Sequence, residues 1–219
     1  MAAVTGPKVQ LRYPTELTFE QYVKAEAWHQ ARLETCPICP PGQCRPGRHG
    51  TYLRKLPTPA RVARFYCPDT GTTISLLPDF YASRMPGTLP ALEEAVARAE
   101  AAPSVEAAAN ELRPGDVEEA VTLPTAMRWV RLRLARVRSM LATVRGLMPA
   151  RFEDCQITVR SFRDALGVPS VLVALRGICA RYLHTLPAPL GLRPPVAVGQ
   201  RGGNRRQQST GPDPPGREA

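Results

Sequence analysis

The chain has 219 residues, a formal net charge of +10 at pH 7 and a sequence pI near 9.8, a balance that predicts an acidic partner, of which nucleic acid is the commonest. Arginine supplies 26 of the 29 basic residues, and its planar guanidinium forks onto phosphate oxygens as an ammonium cannot. No apolar run reaches the ~18 residues needed to span a bilayer, and residues 1 to 8 lack the apolar core of a secretion signal, so the reading is a cytoplasmic protein with no membrane partner.

Val9, Leu11 and Tyr13 alternate with polar neighbours and predict a short strand ended by Pro14. Thr18 and Gln21 have the spacing of a capping box and predict a helix to about residue 33, with Phe19, Tyr22, Val23 and Ala27 as its apolar stripe. This strand and helix form an arm over residues 1 to 34, which delivers the chain into Cys36. Residues 35 to 86 read as a small β module. Strands at 50 to 55 and 61 to 67 flank the turn Pro57-Thr58-Pro59, and a third at 72 to 77 stops at Pro78.

From Thr88 the pattern is helical, and residues 87 to 190 form a helical domain. Leu89, Leu92, Val96 and Ala99 share one face of a helix that is otherwise acidic. Two shorter helices are expected at 104 to 112 and 116 to 122. Met127, Val130, Leu134, Val137, Leu141, Val144 and Met148 follow one another at alternating spacings of three and four, which predicts a long helix over 124 to 148. A short helix at 161 to 166 and an apolar one at 168 to 185 follow. Residues 191 to 219, rich in Pro and Gly among polar residues, are expected to be a disordered tail. The fold class is therefore α+β: a small three-stranded zinc ribbon, then a mainly α-helical domain and a disordered C-terminal tail.

The chemistry concentrates in the β module. Cys36-Pro37-Ile38-Cys39 is a metal knuckle, Cys44 and His49 follow it, and Cys67-Pro68-Asp69-Thr70-Gly71 is a second knuckle with threonine where its second thiolate belongs. Tetrahedral Zn²⁺ takes four thiolate or imidazole ligands from two tight turns, and a neutral hydroxyl is a poor substitute. Cys36, Cys39 and Cys67 are three ligands. The fourth is Cys44, carried on a flexible Pro-Pro-Gly-Gln loop, or alternatively His49, which begins a strand. The competing reading is a degenerate ribbon that packs as a plain hairpin without metal. Six cysteines in a chain with no secretion signal suit metal ligands and buried thiols better than a disulfide framework.

Charge surrounds that module. Arg45, Arg48, Arg54, Lys55, Arg61 and Arg64 lie between Pro40 and Pro68 without one acidic residue, and Tyr52, Phe65 and Tyr66 interleave with them. A cationic hairpin with aromatic neighbours can follow a phosphate backbone. Residues 125 to 151, the long helix and the segment just after it, add Arg128, Arg131, Arg133, Arg136, Arg138, Arg145 and Arg151, again with no acid. Its seam has coiled-coil spacing, but with Met127 at an a position Arg131, Arg138 and Arg145 fall at e and would repel a second copy. Arg48, Arg54, Lys55, Arg61, Arg64, Arg128, Arg131 and Arg138 are the candidate nucleic-acid contacts. No paired-carboxylate metal motif, Gly-rich phosphate loop, nucleophile elbow or His-Glu-x-x-His is present. A non-enzymatic protein without a small-molecule substrate is expected, with DNA or a protein partner.

The motifs Cys36-Pro37-Ile38-Cys39, Arg48-His49-Gly50-Thr51-Tyr52, Arg64-Phe65-Tyr66-Cys67-Pro68 and Ser75-Leu76-Leu77-Pro78-Asp79, followed by Pro86-Gly87-Thr88-Leu89, occur in this order. Over about residues 33 to 95 they resemble a family of uncharacterised bacterial proteins with a transposase-like zinc-ribbon domain of unknown function. The Arg128-Trp129-Val130-Arg131 helix extends the likeness more loosely. The resemblance implies zinc binding and DNA contact. The competing expectation is a protein-interaction module that docks a protein partner, a transposase or a second copy of the chain. Thr70 departs from the pattern, and Cys44 is the compensating ligand.

Overall fold

The computed structural model describes residues 8–112 and 121–195. Strands β1 (Lys8–Tyr13), β2 (Gly47–Arg54), β3 (Ala60–Cys67) and β4 (Thr72–Pro78) form one sheet in the order β1-β4-β3-β2. β2 and β3 make the expected antiparallel hairpin, whose register shifts between Arg48 and Thr51. Gly50 lies in that shift at φ +82°, a conformation open to glycine and costly for other residues.

The sheet has four strands, not three. β1 runs parallel to β4, with Val9 opposite Ile74 and Leu11 opposite Leu76. Alternation along Val9, Leu11 and Tyr13 signals a strand but not the edge it joins. β4 has one edge occupied by β3 and is buried along all seven residues, so its other row of backbone donors and acceptors requires a partner, and β1 supplies it.

Helix α1 (Phe19–Lys24) carries the expected capping box: the Thr18 hydroxyl accepts from the Gln21 N–H, and the Gln21 side chain accepts from the Thr18 N–H. It stops well before residue 33. Glu26 takes φ +45° and the chain continues as a 3-10 turn, Ala27–His29. This break turns Trp28 inward against Tyr22, with ring centroids 5.7 Å apart. Burial of two large aromatics outweighs the hydrogen bonds of another helical turn.

Six more helices follow: α2 (Leu89–Ala101), α3 (Val105–Leu112), α4 (Leu123–Leu147), α5 (Pro149–Phe152), α6 (Val159–Leu166) and α7 (Val171–Ile178). Thr88 and Thr158 cap α2 and α6 through their hydroxyls. The seam of α4 is buried at Val130, Leu134, Val137, Leu141 and Val144. It packs within this chain, on α2 and α3. The expected helix at 116 to 122 lies largely outside the described residues. α7 ends at Ile178, short of residue 185, and a 3-10 turn, Ala180–Tyr182, leads Leu183 and Leu186 back into the core.

Where a tail was expected from residue 191, the chain stays packed at first. Leu190 and Leu192 are buried, and the Gln10 N–H donates to the Arg193 carbonyl at 3.0 Å. The rest of that segment lies outside the described residues. One apolar core joins Tyr22, Val62 and Leu77 to α2, α4, α6 and α7 and reaches Leu192. None of the described helices is long and apolar enough to cross a membrane.

Buried polar groups tie these parts together. The Arg176 guanidinium is fully buried and donates to the carbonyls of Pro78, Asp79, Tyr81, Pro189 and Leu190. Arg12 forks onto Asp79 at 2.8 and 2.7 Å. Glu93 of α2 accepts from Arg163, Ser170 and the Leu172 N–H, joining α2 to α6 and α7.

Candidate metal centre

Side chains alternate across a strand, so β3 sends Val62 toward the helices and Ala63, Phe65 and Cys67 to the opposite face. On that opposite face Val9, Ile74 and Leu76 complete an apolar floor. The segment after the Ala27–His29 turn crosses this floor, with Leu33, Ile38, Cys36, Cys39 and Cys44 packed on it. The loop then turns on a Gln43 N–H to Pro40 carbonyl bond, with Gly42 at φ +82°, and aims Cys44 back at Cys67.

The four sulfurs of Cys36, Cys39, Cys44 and Cys67 lie within 4.8 Å of one another. Cys39 Sγ is 3.5 Å and Cys44 Sγ 3.6 Å from Cys67 Sγ. A disulfide needs about 2 Å, and all four are free thiols. A tetrahedral ion with metal–sulfur bonds of about 2.3 Å sets its sulfurs about 3.8 Å apart, which fits the observed pairs. Four sulfur donors around one point suit a thiophilic tetrahedral ion, zinc or iron. The four cysteines are placed to hold a metal ion.

His49 stands apart from this group. It lies on β2, exposed, with its ring 5.5 Å from that of Tyr66. Thr70, at the position of the missing thiolate, is not a member of the cluster either. Its hydroxyl is buried with no conventional hydrogen-bond partner and lies beside the Cys67 sulfur.

The electrostatics separate the thiols. Desolvation among the packed sulfurs, with hydrogen bonding to Cys67, pushes Cys39 up to about 11. Desolvation and hydrogen bonding to Cys36 and Cys39 push Cys44 higher still. Desolvation raises Cys67 too, but the adjacent Thr70 hydroxyl and backbone N–H, together with Cys39 and Cys44, favour the thiolate and bring it down to about 7. With its thiol lowered where Cys39 and Cys44 are raised, Cys67 would be the first ligand available to a cation.

The basic residues divide into occupied and open groups. Arg48 donates to the carbonyls of Trp28, His29 and Ala31, clamping the turn that leads into the cysteine loop. Arg54 donates to the carbonyls of Ala82 and Met85 and lies over the Tyr81 ring. Arg64 lies 4.5 Å from the centre of the Tyr52 ring. Arg138 faces Glu100 of α2 at 3.7 Å. Lys55, Arg128 and Arg131 are exposed, and Arg61, also exposed, donates only to the Thr51 hydroxyl. The sequence signalled charge but not these carbonyl partners, because a backbone acceptor leaves no trace in residue type. Arg176 is invisible to the sequence for the same reason, and the Arg12–Asp79 pair because its partners lie 67 residues apart.

Comparison of the chain with family models, with curated proteins and with solved structures returns no match to any of them.

Proposed function

We propose that the chain is a zinc-dependent DNA-binding protein built on a ribbon of the transposase-associated kind, accessory or regulatory in role and non-catalytic. The observation that carries the reading is the convergence of Cys36, Cys39, Cys44 and Cys67 over one sheet face. Zinc bound by four thiolates supplies a cross-link with no open coordination position, and thus structure rather than catalysis. Cys36 and Cys39 would fix the incoming loop, Cys44 its return and Cys67 the sheet beneath. The net charge of +10 supports a polyanionic partner.

Metal analysis of the purified protein, paired with titration of a fluorescent DNA duplex at several salt concentrations, tests the proposal. One zinc per chain and an affinity that falls steeply with salt are expected. Full zinc with no duplex binding at low salt would remove the DNA reading and favour a protein-interaction module. The Arg138–Glu100 pair lends that second reading support, since α4 already receives an acidic helix of its own chain.

A further inference from the structure

We infer that Arg84, Arg136 and Arg193 form a phosphate-binding site for the backbone of duplex DNA, outside the hairpin whose composition first suggests one. The inference rests on the DNA-binding reading and names the surface that would carry it.

Three separate parts of the chain build this patch. Arg84 follows β4 at φ +58°, a costly conformation for a non-glycine residue. Its guanidinium is held by the carbonyls of Gly191 (3.2 Å) and Leu186 (2.8 Å). Gly191 is needed for this: a Cβ there would meet Arg84 Nη2 at 2.6 Å and collide with the Leu186 carbonyl oxygen. Gln10 Oε1 accepts from both the Ser83 hydroxyl (2.9 Å) and the Arg193 N–H (3.2 Å), which sets Arg193 beside Arg84. Arg136 approaches from α4, and its charge and that of Arg193 both bear on Arg84.

Three like charges brought together repel, and acids normally offset such an arrangement. Arg12, Arg98, Arg138 and Arg163 each face a carboxylate. Among the described residues, Arg84, Arg136 and Arg193 form no ion pair. All three are exposed, and Arg84 uses two of its five N–H groups on carbonyls. The remaining donors and the unbalanced charge suit an oxyanion.

The flank of α4 continues the patch. Trp129, Arg133 and Arg136 are spaced four and three apart and share one side of the helix. Arg133 lies 3.4 Å from the centre of the Trp129 ring, which is 38% exposed. On the other flank Arg138 and Arg145 are occupied by Glu100 and the Cys155 carbonyl. The Arg133–Arg136 side carries no ion pair among the described residues and lies next to the Arg84–Arg193 charge, and a run of cations fits a phosphate backbone better than a single carboxylate.

The test is a fluorescence-anisotropy titration of the zinc-loaded full chain with a labelled DNA duplex across a salt series. The double variant Arg136→Gln/Arg193→Gln is compared with Arg128→Gln/Arg131→Gln and Lys55→Gln/Arg61→Gln, which remove the same charge elsewhere. The first should weaken binding at least about tenfold and lower the salt slope by about two, one for each phosphate left without its arginine. The matched doubles should weaken binding a few-fold at most. Zinc content and melting temperature should stay at the wild-type values, since the Arg136 and Arg193 side chains anchor nothing in the core. Equal weakening in all three doubles, or wild-type binding by the first, overturns this inference and leaves the DNA reading standing. A wild-type chain that binds no duplex overturns both. Competition by poly-glutamate as strong as by DNA at equal charge would assign the patch to an acidic protein instead.

Discussion

Cys44 Sγ stands 3.6 Å from Cys67 Sγ, while Thr70, at the position where the knuckle pattern calls for a thiolate, lies beside the same sulfur without joining the cluster. The two positions have exchanged roles: the loop cysteine joins the donor set and the knuckle residue supports it from behind.

This arrangement separates three substitutions. Cys44→Ser should lower zinc affinity by more than about tenfold, equivalent to about 1.4 kcal/mol, whereas His49→Ala should keep one zinc per chain and wild-type affinity. Thr70→Val should retain the stoichiometry but weaken binding roughly tenfold, because it removes the polar neighbour that favours the Cys67 thiolate. Competition with a chromophoric chelator measures all three.

Zinc affinity should rise with pH. Cys39 is held at about 11 and Cys44 higher, so both thiols carry protons near neutrality and a metal must displace them. Apparent affinity should therefore fall from pH 8 to pH 6, with protons released on binding. Calorimetry in buffers of different ionisation enthalpy would show that release, and pH-independent affinity would contradict the four-thiol donor set.

Arg176→Met should be among the most damaging single changes. It leaves five carbonyls around a buried site without their donor, at a cost of about 3 kcal/mol or more. In a chain of this size that lowers the melting temperature by roughly 6–12 °C. Burial pulls Arg176 down to about 10, so it remains charged at neutral pH. Thermal unfolding followed by circular dichroism checks the expectation.

Arg48→Ala and Arg61→Ala should behave oppositely although both lie on the hairpin. The first releases three carbonyls beside the cysteine loop and should cost about 1.5–3 kcal/mol, the range for hydrogen bonds to a charged group. The second touches only Thr51 and should stay within about 0.5 kcal/mol of wild type. Chemical denaturation of the two variants distinguishes a structural arginine from a surface one.

The amino-acid sequence determined the elements whose signals are local. Period-two alternation placed β1, the Pro57-Thr58-Pro59 turn and Pro78 bounded the other strands, the spacing of Met127 to Met148 placed α4, and Thr18 with Gln21 placed the start of α1. Cysteine spacing gave the candidate metal ligands, because two-residue knuckles are short-range geometry. Only the tertiary structure decided between Cys44 and His49, since that choice depends on which side chain the loop folds over the Phe65–Ile74 floor. It also decided that β1 completes the sheet, that α1 breaks to bury Trp28, and that Arg48, Arg54 and Arg176 spend their charge on backbone carbonyls. Those outcomes depend on partners distant in sequence, and neither residue type nor periodicity carries any record of them.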